Sequence, residues 1–160
     1  MEIRQLGTSD REWAASLVTS HFGSSRVVSR GLLHETTSLP GLVALDVGIP
    51  AGLLHYRMHD GQCEVVVLIA DTRRKGIGTA LLESVCVLAQ KARCRRLWLA
   101  TTSNNQGAEA FYRAVGWRRV AVYPGAVREA RKLKPEIPQY DESGAAIEDE
   151  IEYELALDSA

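Results

Sequence analysis

Apolar positions along this chain recur in two rhythms, every second residue in some stretches and every third or fourth in others. Their succession predicts a mixed α/β protein. Residues 2–6 read as a short strand. Thr8, Ser9 or Asp10 caps a helix that runs to about residue 21, with Trp13, Leu17 and Val18 on its buried face. Strands follow at 41–47 and 51–59, joined through Gly48-Ile49-Pro50. Asp60-Gly61 then turns the chain into a central strand at 62–70. A helix over 76–92 carries Ile77, Leu81, Val85 and Leu88 on one side. Residues 97–101 form another buried strand, 105–115 a further helix and 117–122 a strand. Residues 22–39 show neither rhythm and read as irregular. A long irregular connection, 123–148, precedes the last strand. It holds a short helix at 126–133 and then a loop punctuated by Pro135 and Pro138. Finally Ile151, Tyr153, Leu155 and Leu157 alternate with Glu152, Glu154 and Ala156, the pattern of a half-buried strand.

The most informative stretch is VVVLIADTRRKGIGTALLES, residues 65–84. An apolar run is followed by a polar turn, the cations Arg73, Arg74 and Lys75, and then Gly76-Ile77-Gly78 at the start of a helical pattern. A strand that feeds a glycine-rich turn at a helix N-terminus leaves backbone N–H groups without partners. With cations beside them, those groups form a site for an anion, and for phosphate in particular. The Walker spacing G-x-x-x-x-G-K-[ST] is absent, and Leu81 stands where a dinucleotide fingerprint needs its third glycine. By itself the segment is also consistent with a tight strand-to-helix turn bearing solvated charges.

A second segment, NNQGAEAFYRAVGW, spans residues 104–117. Ala108, Phe111, Tyr112 and Val115 lie three and four apart on one helical face, and Gly116 can end the helix in a left-handed conformation. Together the two segments resemble the paired signatures of the GCN5-related N-acetyltransferases (GNAT). Arg73, Gly76 and Gly78 match R/Q-x-x-G-x-G/A. Asn105, Ala108, Phe111, Tyr112, Gly116 and Trp117 match N-x-x-A-x-x-[FL]-Y-x-x-x-G-[FW].

The resemblance implies a mixed, centrally splayed β-sheet flanked by helices, built as a single domain over residues 1–160. It also implies acetyl-CoA or another acyl-CoA as cosubstrate, no metal, and direct transfer of the acyl group to an amine. Several residues take roles by the same match. The amides of Arg74, Lys75, Gly76, Ile77, Gly78 and Thr79, with the Arg73 side chain, would cradle the pyrophosphate. The main chain of Leu68, Ile69 and Ala70 would hold the acyl arm, and Asn105 would contact the cofactor, although an N-cap role also accounts for it. Tyr112 corresponds to the family's general acid, with a reference pKa of about 10 that suits proton donation to a thiolate.

The base is a reading of the residues. Glu64 sits in an otherwise apolar strand, where a carboxylate is either a strand end facing solvent or a group with a task. His34, Glu35, His55 and Glu150 are weaker candidates, and waters could also relay the proton. A covalent route through Cys63 lacks an activating histidine in sequence context. A non-catalytic acyl-CoA-binding regulatory module is the other expectation, because it would keep the same loop.

Composition narrows this only a little. The 160 residues are 46% hydrophobic and 24% charged, with a net charge of −1, so nothing suggests a nucleic-acid surface. No apolar run approaches a membrane span, and the start MEIRQLGTSD does not resemble a secretory signal. Cys63, Cys86 and Cys94 lack metal spacing and read as reduced thiols of a cytoplasmic protein. After Lys134 the charged residues are all acids: Glu136, Asp141, Glu142, Glu148, Asp149, Glu150, Glu152, Glu154 and Asp158. They read mainly as a solvated run, some of which could face a cationic acceptor, either a small-molecule amine or a protein amine. Many relatives dimerise, so a homodimer is among the expectations.

Overall fold

The computed structural model describes residues 1–157, and Asp158 lies outside them. Within them, nine strands and four helices follow one another as β1 (Glu2–Gln5), α1 (Arg11–Phe22), β2 (Arg26–Ser29), β3 (Leu32–Glu35), β4 (Gly41–Asp46), β5 (Ile49–His59), β6 (Gln62–Ala70), α2 (Ile77–Lys91), β7 (Arg96–Thr102), α3 (Ala108–Ala114), β8 (Arg118–Tyr123), α4 (Ala126–Leu133) and β9 (Glu150–Ala156). Seven strands form a mixed sheet in the order β1-β4-β5-β6-β7-β9-β8, and β2 and β3 pair as a separate hairpin. The mixed, helix-flanked sheet expected from the sequence is present.

Two apolar clusters cover the two faces. One packs α2 and α3 on the sheet through Leu81, Val85, Leu97, Tyr112 and Tyr153, and the other packs Ala14 and Val18 of α1 on Leu53, Val67 and Ile69. Gly52 lets α2 approach closely, since a Cβ there would lie 2.5 Å from Ile77 Cγ2 and 3.0 Å from Leu81 Cδ1.

The register of β5 on β6 shifts between His55 and Tyr56, so Tyr56 opposes Val65 while His55 opposes Val67. Val66 is the extra residue of this bulge, and the face presented by each residue changes across it. Cys63 and Val65 therefore join the α2 cluster, whereas Val67 and Ile69 join the α1 cluster. Glu64, alternating with Cys63 and Val65, points to the α1 side.

Three expectations need correction. Residues 22–39 are not irregular: they contain the β2–β3 hairpin, turning at Arg30 (φ 47°) and Gly31 (φ 79°). Both turn residues have positive φ, the geometry of a two-residue hairpin, but Arg-Gly is not the usual signal for it. The helix expected at 105–115 starts only at Ala108, because Gly107 takes the left-handed conformation (φ 84°) and is itself the N-cap. Asn105 therefore does not cap it. The last strand is not half-buried with its acids outward: Glu150 is 5% exposed and Glu152 7%. β9 lies between β7 and β8 in the sheet, and Tyr153, alternating with the two glutamates, is buried as well. Lys134 fixes the hairpin's entry, its buried Nζ donating to the carbonyls of Phe22 and Arg26 at 2.6 Å each.

Candidate active site

β6 and β7 run parallel and pair only at Gln62–Arg96, Cys63–Leu97 and Glu64–Trp98. Beyond Glu64 the strands part, and the rest of β6 keeps β5 on one side alone. A cavity of about 460 Å³ opens at this parting. Leu68 and Ala70 line it from the strand, the turn before α2 from one flank, and Asn105, Phe111 and Tyr112 from the other.

The turn is organised by Asp71, which carries no conspicuous signal in the sequence. Asp71 Oδ1 accepts from the Arg73 amide at 3.0 Å and from Arg73 Nε at 3.1 Å. The Asp71 carbonyl accepts from the Arg74 amide at 3.1 Å. The Arg73 bonds hold the Asp71 carboxyl below the usual range. Gly76 then takes φ 81°, and α2 begins at Ile77. Among the described residues, the amides of Lys75, Gly76, Ile77, Gly78 and Thr79 have no acceptor in the protein; the first amide to bond is that of Ala80, to the Gly76 carbonyl. Ala80 thus begins the helix ladder, and the run before it faces outward. Gly78 admits the opposite wall, since a Cβ there would lie 3.3 Å from Phe111 Cζ.

Most of the residues expected at the site are brought together. Leu68, Ala70, Arg74, Gly76, Ile77, Gly78, Thr79, Asn105 and Tyr112 all line the cavity. Ile69 faces the α1 cluster instead. Arg73 is turned to solvent, its side chain 86% exposed and clamped on Asp71. Arg74 is anchored to Asp46 at 2.6 Å, and Lys75 is exposed. The Arg74 amide, spent on the Asp71 carbonyl, is not among the free donors. Asn105 donates through Nδ2 to Thr101 Oγ1 at 3.0 Å. Phe111 could have been assigned to this wall in sequence only by knowing that it faces Gly78.

Tyr112 packs among Phe111, Trp117 and Tyr153, with ring centroids 5.1, 5.6 and 5.0 Å away. Burial pushes its phenol well above the ordinary value, with Tyr153 adding to the shift. Its hydroxyl has no hydrogen bond within the protein among the described residues, and the residue lines the cavity.

Glu64 occupies the last paired rung, on the other face, and is 3% exposed. Ser29 donates to its Oε2 at 2.7 Å, and His34 Nε2 lies 3.9 Å from Oε1. Burial pushes the carboxyl up to about 7; the Ser29 bond and the Arg57 charge oppose this, and Glu150 and Glu152 add to it. Neighbouring carboxylates are compensated: Arg30 bonds Glu150, and Arg96 and Tyr123 bond Glu152. No Lys or Arg lies within ion-pair distance of Glu64 among the described residues.

The other candidates have other surroundings. His55 Nδ1 lies 3.3 Å from the Pro40 carbonyl, deep in the fold. Glu35 is exposed and binds Ser25 and Thr37. Cys63 is fully buried and pushed up to about 12 chiefly by that burial, so it holds no thiolate at neutral pH. Among the described residues no set of three or more His, Cys, Asp or Glu is arranged to hold a metal, and no helix is long and apolar enough to cross a membrane.

A sheet parted at its centre, with free amides at a helix start on one flank of the opening, defines a class: mixed-sheet proteins with a donor-lined opening between two parallel strands. Comparison with known proteins gives the family. Residues 11–117 match the Acetyltransferase (GNAT) family, and the chain belongs to it. It is 38% identical over 139 residues to YdhI, an uncharacterized protein of Bacillus subtilis (strain 168), in a match that covers 86% of this chain and 87% of YdhI. The fold superposes on an IAA acetyltransferase from Bacillus cereus ATCC 14579 with a TM-score of 0.72 at 15% identity, over 98% and 99% of the two chains. It also superposes on a GNAT family acetyltransferase from Elizabethkingia anophelis with acetyl-CoA bound, with a TM-score of 0.70 at 17% identity, over 98% and 97%.

Proposed function

We propose that this chain is an acyl-CoA-dependent N-acetyltransferase that moves an acetyl group from acetyl-CoA to an amine by direct attack. The observation that carries this is the run of unpartnered amides from Lys75 to Thr79, bordering a cavity that reaches the parted strands. The site fits a diphosphate: its donors are main chain, Gly76 holds the turn open, and any side chain at position 78 would press on Phe111. The cradle is amide-built, with Arg73 adding only its field.

Acetyl-CoA, when bound, supplies an activated thioester. Glu64 takes a proton from the ammonium acceptor, because its carboxylate is buried without an Arg or Lys ion pair, the more distant Arg57 charge offsetting its burial only in part, and its raised affinity for a proton suits a base at neutral pH. Tyr112, which lines the cavity, keeps its proton throughout the neutral range on a hydroxyl without a hydrogen-bond partner among the described residues, available for a departing sulfur. Tyr112 lines the cavity, and Glu64 lies at the last paired rung where the strands part, on the other face of the sheet, one group for each proton transfer. The acceptor is a small-molecule amine or a protein amine.

The test follows free thiol from acetyl-CoA over a panel of alkylamines, diamines and a peptide with a free N-terminus. Turnover with at least one is expected. Tyr112→Phe should then lower kcat by about 10- to 100-fold with little change in the KM for acetyl-CoA. Unchanged kcat would remove Tyr112 as the acid. Tight binding of acetyl-CoA with no turnover over the panel would make the chain a regulatory binding module instead.

A further inference from the structure

The β2–β3 hairpin brings Ser29 and His34 over Glu64, and one atom there is left without a partner. His34 Nε2 is buried and makes no hydrogen bond. The residue is 7% exposed, and its Nε2 is aimed at Glu64 Oε1 across 3.9 Å. A ring nitrogen left unpaired in so dry a place costs free energy unless some state of the site uses it. Ser29 already occupies the other carboxylate oxygen as a donor.

The chemistry of transfer identifies such a state. Acyl transfer forms a C–N bond and breaks a C–S bond, so an ammonium and a thioester become an amide, a thiol and one surplus proton. One amine proton replaces what Tyr112 gives to sulfur. The other, taken by Glu64, must reach solvent before the next turnover. A protonated Glu64 is a donor, and a His34 ring carrying its own proton on Nδ1 presents Nε2 as the matching acceptor. We propose that His34 is a positioning and proton-relay residue: it accepts the proton from Glu64 through Nε2 and passes one to solvent from Nδ1, and the ring then turns over to present its bare nitrogen to Glu64 for the next turnover. The inference rests on Glu64 being the base.

The surroundings suit this. Burial, with the charge of Arg57, holds His34 below its usual range, so the ring is neutral between turnovers, with Nε2 free, and gives up a relayed proton readily. The groups facing Glu64 are Ser29 from β2, His34 from β3, Arg57 from β5, and Glu150 and Glu152 from β9, and His34 is the one neutral base among them. The separation of 3.9 Å is longer than a hydrogen bond, as gaps between catalytic groups often are before substrate closes the site.

Two variants separate a relay from a static contact. Glutamine can still donate a hydrogen bond to Glu64 but cannot take up and release a proton. His34→Gln is therefore expected to lower kcat by about tenfold or more while the melting temperature and the KM for acetyl-CoA stay put. Added imidazole should restore kcat in His34→Ala, saturably, and only where the imidazole is neutral. Wild-type kcat in His34→Gln overturns the relay, since a donor alone would then suffice. A slow, folded His34→Ala that imidazole leaves slow overturns it too. Glu64→Gln serves as the control. If that variant is slow and His34→Gln is not, only the relay fails. If Glu64→Gln turns over like wild type, the base itself is misassigned.

Discussion

Glu64 is costly to the fold wherever it is ionised. Its folded-state pKa, pushed up to about 7, exceeds the ordinary carboxyl value of 4.5. A carboxyl raised in this way stabilises the fold fully at pH below its unfolded value, and that stability is lost as pH rises through about 7. Glu64→Gln, which never ionises, should therefore match wild type in urea unfolding near pH 4 and exceed it by about 2–3 kcal/mol near pH 8. An equal difference at both pH values would mean that ionisation is not the cost. At this scale the sequence was partly legible. A glutamate inside an apolar strand stands out, and a tyrosine in a matched helical motif does too. Arg73 was misleading because adjacency to glycines says nothing of Asp71, two residues back, which takes hold of its guanidinium. His34 looked isolated because its partner lies on another strand.

Among the elements, the start of α2 matters most. Its amides are free because Gly76, at φ 81°, turns the chain before the helix ladder begins. A methyl added at that position would meet no atom within 4 Å, so Gly76→Ala suffers no clash and bears only the conformational penalty. It should cost about 1 kcal/mol in stability and raise the KM for acetyl-CoA several-fold with kcat nearly intact. A KM at the wild-type value would show that the turn is not the cradle. The helix itself was plain from its period, whereas the β2–β3 hairpin was not. Val27-Val28 and Leu32-Leu33 are adjacent pairs and break the two-residue alternation, and the strands are short.

For the whole molecule, the opening exists because β6 pairs with β7 for a few residues only, while α2 is pressed onto β5 through Gly52. Gly52→Ala would drive a methyl to 2.5 Å from Ile77, the first residue of α2, and to 3.2 Å from the Ile69 carbonyl. Overpacking there should cost about 1–3 kcal/mol and weaken acetyl-CoA binding in the same variant, read as a lower urea midpoint and a higher KM. A lower midpoint with unchanged KM would uncouple the packing of α2 from the cradle. Local pattern alone determined most of the succession of strands and helices, the glycine turn, and Glu64 as a candidate, because periodicity and turn chemistry act between near neighbours. Tyr112 became a candidate only through the resemblance of its segment to a family signature. Only the tertiary structure decided where the sheet parts, which carboxylates are buried, that Arg73 faces away, and that a hairpin lays Ser29 and His34 over Glu64. Those outcomes depend on register and burial between segments far apart in the chain, such as β9 inserting between β7 and β8, and no local window of residues contains them.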